Sequence, residues 1–439
     1  MTYQAHYEKR RRERWPWPLL LGVVLSSAVL VWFGLRWILP QPSVQETAPF
    51  TICGKSRAET LNVFKAQESQ EYIELKDLLV YGETLNLYQS PYALGVTDGL
   101  VGKTIILHNL CDGYEWVYMM EKSIDGQIPL EQLPNGFYQV YVVDDLKRKV
   151  LVSESAFRHL FYPVRRDGLS KEVLIVADKT LIVDDKGQPV LNENQLYLNV
   201  DNAEPTSTET IYDVVIDAAH STHVNGSIEK GHSAFNMIEA NETLRMANLL
   251  KDELEAMGLK VYLTRDDTID VVDLYGIDGR LDMAYQSKAK YYLEVNMNFS
   301  TNESIRGVRI QYSSYASNKF ATSLFKSYME TEGLVPYGNG SKNNIPGVVA
   351  STRYNGWDAI PVLRETGGRI LAAGTISELA QEQNASFNKE AMFGMQAVSL
   401  DLIFISNETD ATIYANQSKE MAHNLALGFA DYLGLTVNP

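Results

Sequence analysis

A short apolar strand that ends in polar residues organises the second half of this chain. Residues 214–216 are Val-Val-Ile, and an aspartate, two alanines and His220 follow them. Open α/β sheets build their sites at the carboxyl ends of their strands, so this pattern predicts a site at His220. Two later apolar runs also carry polar side chains, one with Asn296 and Asn298 and the other with Asp401. The simpler alternative is a core strand that is followed by a surface histidine.

From residue 211 onward, apolar runs of strand length alternate with longer segments of helical period. The predicted strands cover residues 214–216, 259–263, 291–299, 308–312 and 397–405. The predicted helices cover residues 235–257, 278–289, 318–329 and 415–432. Strands that are separated by helices of this length predict an α/β fold, with a mostly parallel sheet and helices on both faces.

The first half has a different pattern. Residues 71–200 contain short strands at regular spacing with turn residues between them, which predicts a β-rich, sandwich-like domain. Two roles are compatible with this pattern, an extracellular binding module and a spacer. The polar stretches at residues 40–70 and 201–210 are interpreted as linkers.

The N-terminus carries the features of a membrane anchor. Residues 9–14 include five basic side chains, and the 21 residues from 15 to 35 carry no charge. A run of that length spans the hydrocarbon core as a helix, and basic residues favour the cytoplasmic side. We therefore expect a cytoplasmic tail at residues 1–14, one transmembrane helix at residues 15–39, and extracellular domains after it. A cleaved signal peptide is the alternative, but no small-residue cleavage site follows the apolar run.

Charge and cysteine content restrict the remaining possibilities. The chain has 39 basic and 55 acidic residues, a net charge of −16. This balance argues against a nucleic-acid partner, which requires a clustered basic face. Cys53 and Cys111 are the two cysteines. They could form a disulfide outside the cell or remain two small buried side chains, and their spacing does not distinguish these alternatives.

Residues 211–435 resemble the zinc-dependent N-acetylmuramoyl-L-alanine amidases. The residues that carry the resemblance are the strand ending at His220, Glu239 before a long helix, residues 259–265, Arg280, Ala284 and the closing segment 404–407. The resemblance implies an amidase-like domain over residues 211–439, zinc ligands at His220 and Glu239, and peptidoglycan as the substrate.

Two positions depart from the pattern of the family. Where the family has its third zinc ligand, a histidine, this chain has Asn296, and where the family has its catalytic glutamate, this chain has Asp401. An amide oxygen is a poor replacement for imidazole in a zinc site. Aspartate is one methylene shorter than glutamate, and a misplacement of about 1 Å can cost on the order of a hundredfold in rate.

The catalytic carboxylate has a second candidate. Residues 360–365 also resemble a strand that ends in the catalytic glutamate, here Glu365. Asp401 is preferred because the closing motif follows it directly. This choice implies an insertion at about residues 367–394.

Four further side chains are candidates for the site. His223 and His232 are near enough in sequence to complete a metal site, although a solvated loop histidine is the simpler interpretation of each. Asn298 and Arg364 are predicted to contact the substrate. Arg364 is also expected to form an ion pair with Glu365.

The resemblance leads to two hypotheses of different classes. The first is a membrane-anchored extracellular amidase that uses zinc to cleave the bond between the muramoyl lactyl group and L-alanine of peptidoglycan. The second is a catalytically inactive protein of the amidase fold that binds peptidoglycan or regulates other cell-wall proteins. The replacements at Asn296 and Asp401 weigh against the first hypothesis, because the chemistry uses both positions directly.

Overall fold

A computed structural model describes residues 50–90, 97–120, 128–166, 169–202, 210–313, 316–338, 345–354, 357–366, 369–371 and 394–436. The predicted cytoplasmic tail and transmembrane helix lie outside these ranges. Within them, every helix is too short or too polar to cross a membrane.

The helices and strands have the following bounds. The helices are α1 (Arg57–Lys65), α2 (Glu239–Ala256), α3 (Arg280–Gln286), α4 (Lys319–Tyr328), α5 (Pro361–Thr366) and α6 (Glu408–Leu433). The strands of the first half are β1 (Tyr72–Leu75), β2 (Asp77–Tyr81), β3 (Thr84–Tyr88), β4 (Thr104–Asn109), β5 (Glu115–Met119), β6 (Ile128–Pro129), β7 (Gly136–Asp144), β8 (Lys147–Ser153), β9 (Phe157–Phe161), β10 (Lys171–Ala177) and β11 (Asn194–Asn202). The strands of the second half are β12 (Val214–Ala218), β13 (Thr222–Val224), β14 (Ser227–Glu229), β15 (Ser233–Ala234), β16 (Met237–Ile238), β17 (Val261–Leu263), β18 (Tyr291–Asn298), β19 (Arg309–Tyr312), β20 (Val348–Ala350), β21 (Arg353–Tyr354), β22 (Trp357–Asp358), β23 (Arg369–Leu371) and β24 (Gln396–Phe404).

The second half is built on a six-stranded sheet with the order β17-β12-β18-β24-β19-β20. The strands β17, β12, β18 and β24 are parallel to one another, and β19 runs antiparallel to β24 and parallel to β20. The predicted mostly parallel sheet is therefore confirmed. Its register places Asn296 on β18 opposite Asp401 on β24, so two predicted site positions are neighbours across one strand pair.

Helices cover both faces of this sheet, as predicted. Side chains of α2, α4 and α6 share one core with the sheet, and side chains of α3 and α5 share a second core on the other face. The helix α2 buries Leu244, Ala247, Leu250 and Leu254, which recur every three or four residues on one side of a helix.

The helix α6 begins at Glu408 and not at residue 415, and two further predicted elements also differ in the structure. The helix α2 begins at Glu239 and not at residue 235, because Phe235 and Asn236 have positive φ angles of 49° and 62° and form the turn between β15 and β16. Residues 361–366 form the helix α5. The alternative that places the catalytic glutamate at Glu365 required a strand there. Pro361 is the first residue of α5, where its fixed φ angle suits the start of a helix.

The β-rich first half contains two sheets whose side chains share one core. The larger sheet has the order β5-β4-β7-β8-β11-β10-β9, with β1 paired to β8, and the smaller has the order β23-β2-β3-β6. Leu78 and Leu85 of the smaller sheet and Leu107 and Val140 of the larger sheet belong to this core. The sandwich-like packing is thus found in part. The smaller sheet, however, takes β23 from the predicted insertion at residues 367–394.

The predicted linker at residues 40–70 contains the helix α1. Ser56 and Glu59 form a reciprocal capping box at its start, and Phe64 in its last turn is fully buried. The alternatives for the cysteines are also resolved, because Cys53 and Cys111 form a disulfide across 58 residues of sequence. This bond joins the segment before α1 to the turn after β4.

Candidate functional site

The imidazole of His220 lies at the carboxyl edge of the six-stranded sheet. His220 follows β12 with a φ angle of 69°, in the left-handed region that a histidine seldom adopts. Its Nδ1 atom lies 2.8 Å from Oε2 of Glu229. Its Nε2 atom lies 3.1 Å from Oε1 of Glu239 and 3.2 Å from Oδ1 of Asn296. The structure therefore brings together the three predicted metal-site residues and adds Glu229.

Glu239 is the first residue of α2 and is 1% exposed. Its Oε2 atom accepts a hydrogen bond from the backbone N–H of His232 at 2.8 Å, and its Oε1 atom accepts one from Met297 at 3.2 Å. Partial positive charge at the helix N-terminus also favours a carboxylate at this position. Both carboxylate oxygens of Glu239 are therefore fixed in place by backbone hydrogen bonds.

The two glutamates determine the charge of His220. Burial by itself would lower the pKa of His220, but the hydrogen bonds and charges of Glu239 and Glu229 outweigh burial and raise this pKa to about 9. Burial by itself would raise the pKa of Glu229, but its hydrogen bond and ion pair with His220 outweigh burial and lower this pKa. At neutral pH His220 is therefore an imidazolium that contacts Glu229 and Glu239.

Asp401 lies beside this cluster and has its own cation. Its Oδ2 atom accepts a hydrogen bond from Nε of Arg309 at 2.7 Å, and further hydrogen bonds from the amides of Asn298 and Gln311, each at 3.2 Å. Burial raises the pKa of Asp401, and Arg309 opposes that effect. Arg309 lies directly across from Asp401 on the antiparallel neighbour β19, and Gln311, two residues further along β19, points to the same side. The predicted substrate contact Asn298 is thus a hydrogen-bond donor to Asp401.

Arg364 and Glu365 lie elsewhere, on the helix α5. Nε of Arg364 and Oε1 of Glu365 are 3.0 Å apart, which confirms the predicted ion pair. A terminal nitrogen of Arg364, Nη2, donates a hydrogen bond to the Tyr275 hydroxyl at 2.9 Å. The helix α5 packs on the face of the sheet opposite to α2, so these residues are not part of the His220 cluster.

The two alternative histidines take other partners. His223 is exposed, and its Nδ1 atom lies 3.1 Å from Oδ1 of Asp273. The ring of His232 stacks on Phe299, with ring centroids 3.9 Å apart. Each ring therefore has a partner other than His220.

The sequence model of the N-acetylmuramoyl-L-alanine amidase family matches residues 214–431, which include the sheet from β12 to β24 and the whole His220 cluster. This part of the chain belongs to the N-acetylmuramoyl-L-alanine amidase family. We refer to residues 211–439 below as the amidase-like domain.

Several solved amidase structures are similar to the amidase-like domain. The catalytic domain of CwlV from Bacillus (Paenibacillus) polymyxa var. colistinus is 22% identical, with 52% of this chain and 100% of that chain covered and a TM-score of 0.36. AmiC2 of Nostoc punctiforme is 15% identical, with coverage of 52% and 99% and a TM-score of 0.35. CwlD from Clostridioides difficile, solved in complex with the GerS lipoprotein, is 16% identical, with coverage of 51% and 98% and a TM-score of 0.33. No curated protein sequence matches this chain.

The donor set of the amidase-like domain does not fit the three-ligand zinc site that the resemblance implies. A hydrolytic zinc site uses three protein ligands and keeps one position for water. Here the third donor is the neutral amide oxygen of Asn296, which is a poor replacement for imidazole. Within the described ranges, no three His, Cys, Asp or Glu side chains are grouped to hold a metal ion.

Sequence reasoning missed Glu229 and Arg309. The alternation of Arg309 and Gln311 in an otherwise apolar strand was a usable signal, because alternate residues of a strand point to the same side. Glu229 offered no comparable signal. It reaches His220 because a hairpin, β13–β14, returns the chain to the sheet edge.

Proposed function

We propose that this chain is a cell-wall protein whose amidase-like domain binds peptidoglycan and does not hydrolyse it through zinc. Family membership supports peptidoglycan as the ligand. The observation that carries the proposed inactivity is the set of ion pairs at the carboxyl edge, in which His220 lies between Glu229 and Glu239, and Arg309 binds Asp401.

Zinc-dependent amide hydrolysis needs two groups that these ion pairs occupy. The metal requires a neutral imidazole, so zinc would have to displace the proton that Glu239 and Glu229 favour on His220 by raising its pKa to about 9. The reaction also requires a carboxylate that can take a proton from water and return it to the leaving amine. The only carboxylate that the resemblance offers for this step beside the His220 cluster is Asp401, and the Oδ2 atom of Asp401 is already bound by the guanidinium of Arg309.

We further propose that the domains lie outside the cell and that residues 15–39 anchor them in the membrane. The basic and apolar pattern of the N-terminus supports this placement. The Cys53–Cys111 disulfide also supports it, because structural disulfides persist in oxidising compartments.

The test uses full-length protein in detergent micelles, purified peptidoglycan sacculi, and zinc in excess. We expect the protein to sediment with sacculi and to release no stem peptide, with or without zinc. Zinc-dependent release of stem peptide by the unmodified protein would contradict the proposed inactivity. A failure to sediment with sacculi would contradict the proposed binding.

One observation favours active hydrolysis as a second candidate. His220 and Glu239, the two implied zinc ligands, lie 3.1 Å apart at the sheet edge, which is close enough to share an ion. Metal analysis separates the candidates before any activity assay. One zinc per chain after dialysis, lost in His220→Ala, would support the enzyme.

A further inference from the structure

Two exposed rings, His232 and Phe299, stack on each other beside the His220 cluster, and a third exposed ring, Phe235, lies three residues after His232 in the turn between β15 and β16. We call these three residues the aromatic surface. Phe299 is 38% exposed and Phe235 is 47% exposed, and His232 is also exposed. The rings of His232 and Phe299 stack with only 9° between their planes. Large apolar side chains at such exposure are otherwise scattered singly over a protein surface.

The aromatic surface is attached directly to the site. The backbone N–H of His232 donates to Oε2 of Glu239 at 2.8 Å, and the backbone N–H of Glu239 donates to the carbonyl of His232 at 2.9 Å. Phe299 immediately follows Asn298, the last residue of β18 and a hydrogen-bond donor to Asp401. A ligand on these rings would therefore lie beside the amides and carboxylates of the sheet edge.

Phe235 occupies a conformation that disfavours an aromatic residue. Phe235 and Asn236 form the two-residue turn between β15 and β16, and both have positive φ angles. Asparagine, aspartate and glycine are the favoured residues in such a turn, and a bulky side chain in the left-handed region is strained. Because the Phe235 ring is half exposed, burial against the described part of the chain offsets little of this strain. Strained residues of this kind concentrate at ligand sites.

We propose that the aromatic surface binds a sugar ring of the peptidoglycan glycan strand. This inference deepens the proposed function and rests on it. A pyranose ring presents an apolar C–H face that packs on an aromatic ring, and hydroxyl and acetamido groups at its rim that need hydrogen-bond partners. The exposed rings meet the first requirement. The amides of Asn296 and Asn298, at the adjacent end of β18, meet the second, because each amide has more donors and acceptors than its one contact with His220 or Asp401 uses.

The test measures binding of full-length protein to glycan strands from which the stem peptides have been removed, and separately to free stem peptides. The variants are Phe299→Ala and Phe235→Asn, with Asn236→Gly as the matched control in the same turn. We expect Phe299→Ala and Phe235→Asn to weaken glycan binding roughly three- to tenfold each, the size of one aromatic contact. Asn236→Gly should bind glycan as the unmodified protein does.

Phe235→Asn separates a binding role from a structural one. Asparagine tolerates the left-handed region, so we expect this variant to unfold at the same or a higher urea concentration while its glycan binding falls. Unchanged glycan binding in both aromatic variants, with sacculus binding intact, would overturn this inference and leave the proposed function standing. Weaker binding of stem peptide alone would also overturn it. Absence of any sacculus binding by the unmodified protein would instead remove the proposed function.

Discussion

Charged side chains at the carboxyl edge are buried in pairs, and the pairing determines what each can do. Asp401 is 3% exposed, and contacts with Arg309 and two side-chain amides offset the cost of burying its carboxylate. His220 is similarly held between Glu229 and Glu239. Removing one member of such a pair leaves an uncompensated charge, and this gives the first prediction.

Arg309→Met should destabilise the protein by about 3 kcal/mol. This figure is at the low end for a broken buried ion pair, because the Arg309 side chain is itself 27% exposed and is partly screened by solvent. Urea unfolding measures the change. The matched double variant, Arg309→Met with Asp401→Leu, should recover most of the lost stability because no charge is left unpaired. A single variant as stable as the parent would show that the ion pair contributes little.

Gly231→Ala should destabilise the protein more than Gly226→Ala does. Both glycines have positive φ angles, 72° and 81°, so alanine is strained at either position by about 1 kcal/mol. A Cβ atom on Gly231 would lie 2.5 Å from Oε2 of Glu239, whereas one on Gly226 would meet no heavy atom within 4 Å. The difference between their unfolding free energies measures how rigidly Glu239 is held. Equal destabilisation would mean that Glu239 moves without cost.

At the scale of elements, the hairpin β2–β3 connects the β-rich half to the amidase-like domain. Its turn contains Gly82, followed by Glu83, which is 2% exposed. One carboxylate oxygen of Glu83 accepts from the Val164 backbone at 2.6 Å, and the other accepts from Arg166 at 2.6 Å and from the Tyr291 hydroxyl at 2.8 Å. Tyr291 is the first residue of β18, so the hairpin contacts the amino end of the strand that carries Asn296 at its other end.

Gly82→Ala should be more destabilising than Gly187→Ala, and differential scanning calorimetry should show a lower Tm for the first. Both positions have positive φ angles, 60° and 75°. A Cβ atom on Gly82 would lie 3.1 Å from Cβ of Gln396 on β24, whereas nothing lies within 4 Å of one on Gly187. We expect a further loss of about 1 kcal/mol at Gly82 from this overpacking. Identical Tm values would mean that the hairpin shifts freely against the sheet.

At the scale of the whole molecule, a lysine is buried where the two halves meet. Lys290, just before β18, is 4% exposed, and its Nζ atom lies 4.6 Å from the centre of the Phe161 ring on β9. Burial lowers the pKa of Lys290 to about 8, although Glu83 and Asp213 oppose that effect. The contact between the two halves therefore depends on pH.

Stability should rise with pH above about 8, relative to a Lys290→Met variant of similar shape. Between pH 8 and the ordinary lysine pKa of about 10.4, the unfolded chain binds more protons than the folded one, so raising the pH favours folding. Urea unfolding at pH 7.5, 8.5 and 9.5 measures this. The unfolding free energy of the unmodified protein, relative to that of Lys290→Met, should increase by up to about 1 kcal/mol per pH unit. A constant difference would show that Lys290 keeps its proton throughout.

Hydrophobic period predicted the architecture of the amidase-like domain, and strand ends predicted its site region. His220, Asn296 and Asp401 were expected at one edge because they end or follow strands that were expected to be parallel. The predicted start of α2 was four residues too early. Phe235 and Asn236 fit the helical spacing of apolar residues, but in the structure they form a turn. The insertion was expected at residues 367–394, but its pairing with β2 was not, because edge pairing between distant segments leaves no local signal.

The sequence by itself determined that His220, Asn296 and Asp401 lie at one carboxyl edge, since the order of apolar runs dictates where parallel strands end. Only the tertiary structure decided what those residues do there. Arg309 neutralises Asp401 because β19 reverses direction beside β24, and Glu229 reaches His220 because a hairpin folds back. Both contacts depend on strand register and chain reversal across the fold, and long-range register of this kind is set by packing that no local pattern encodes.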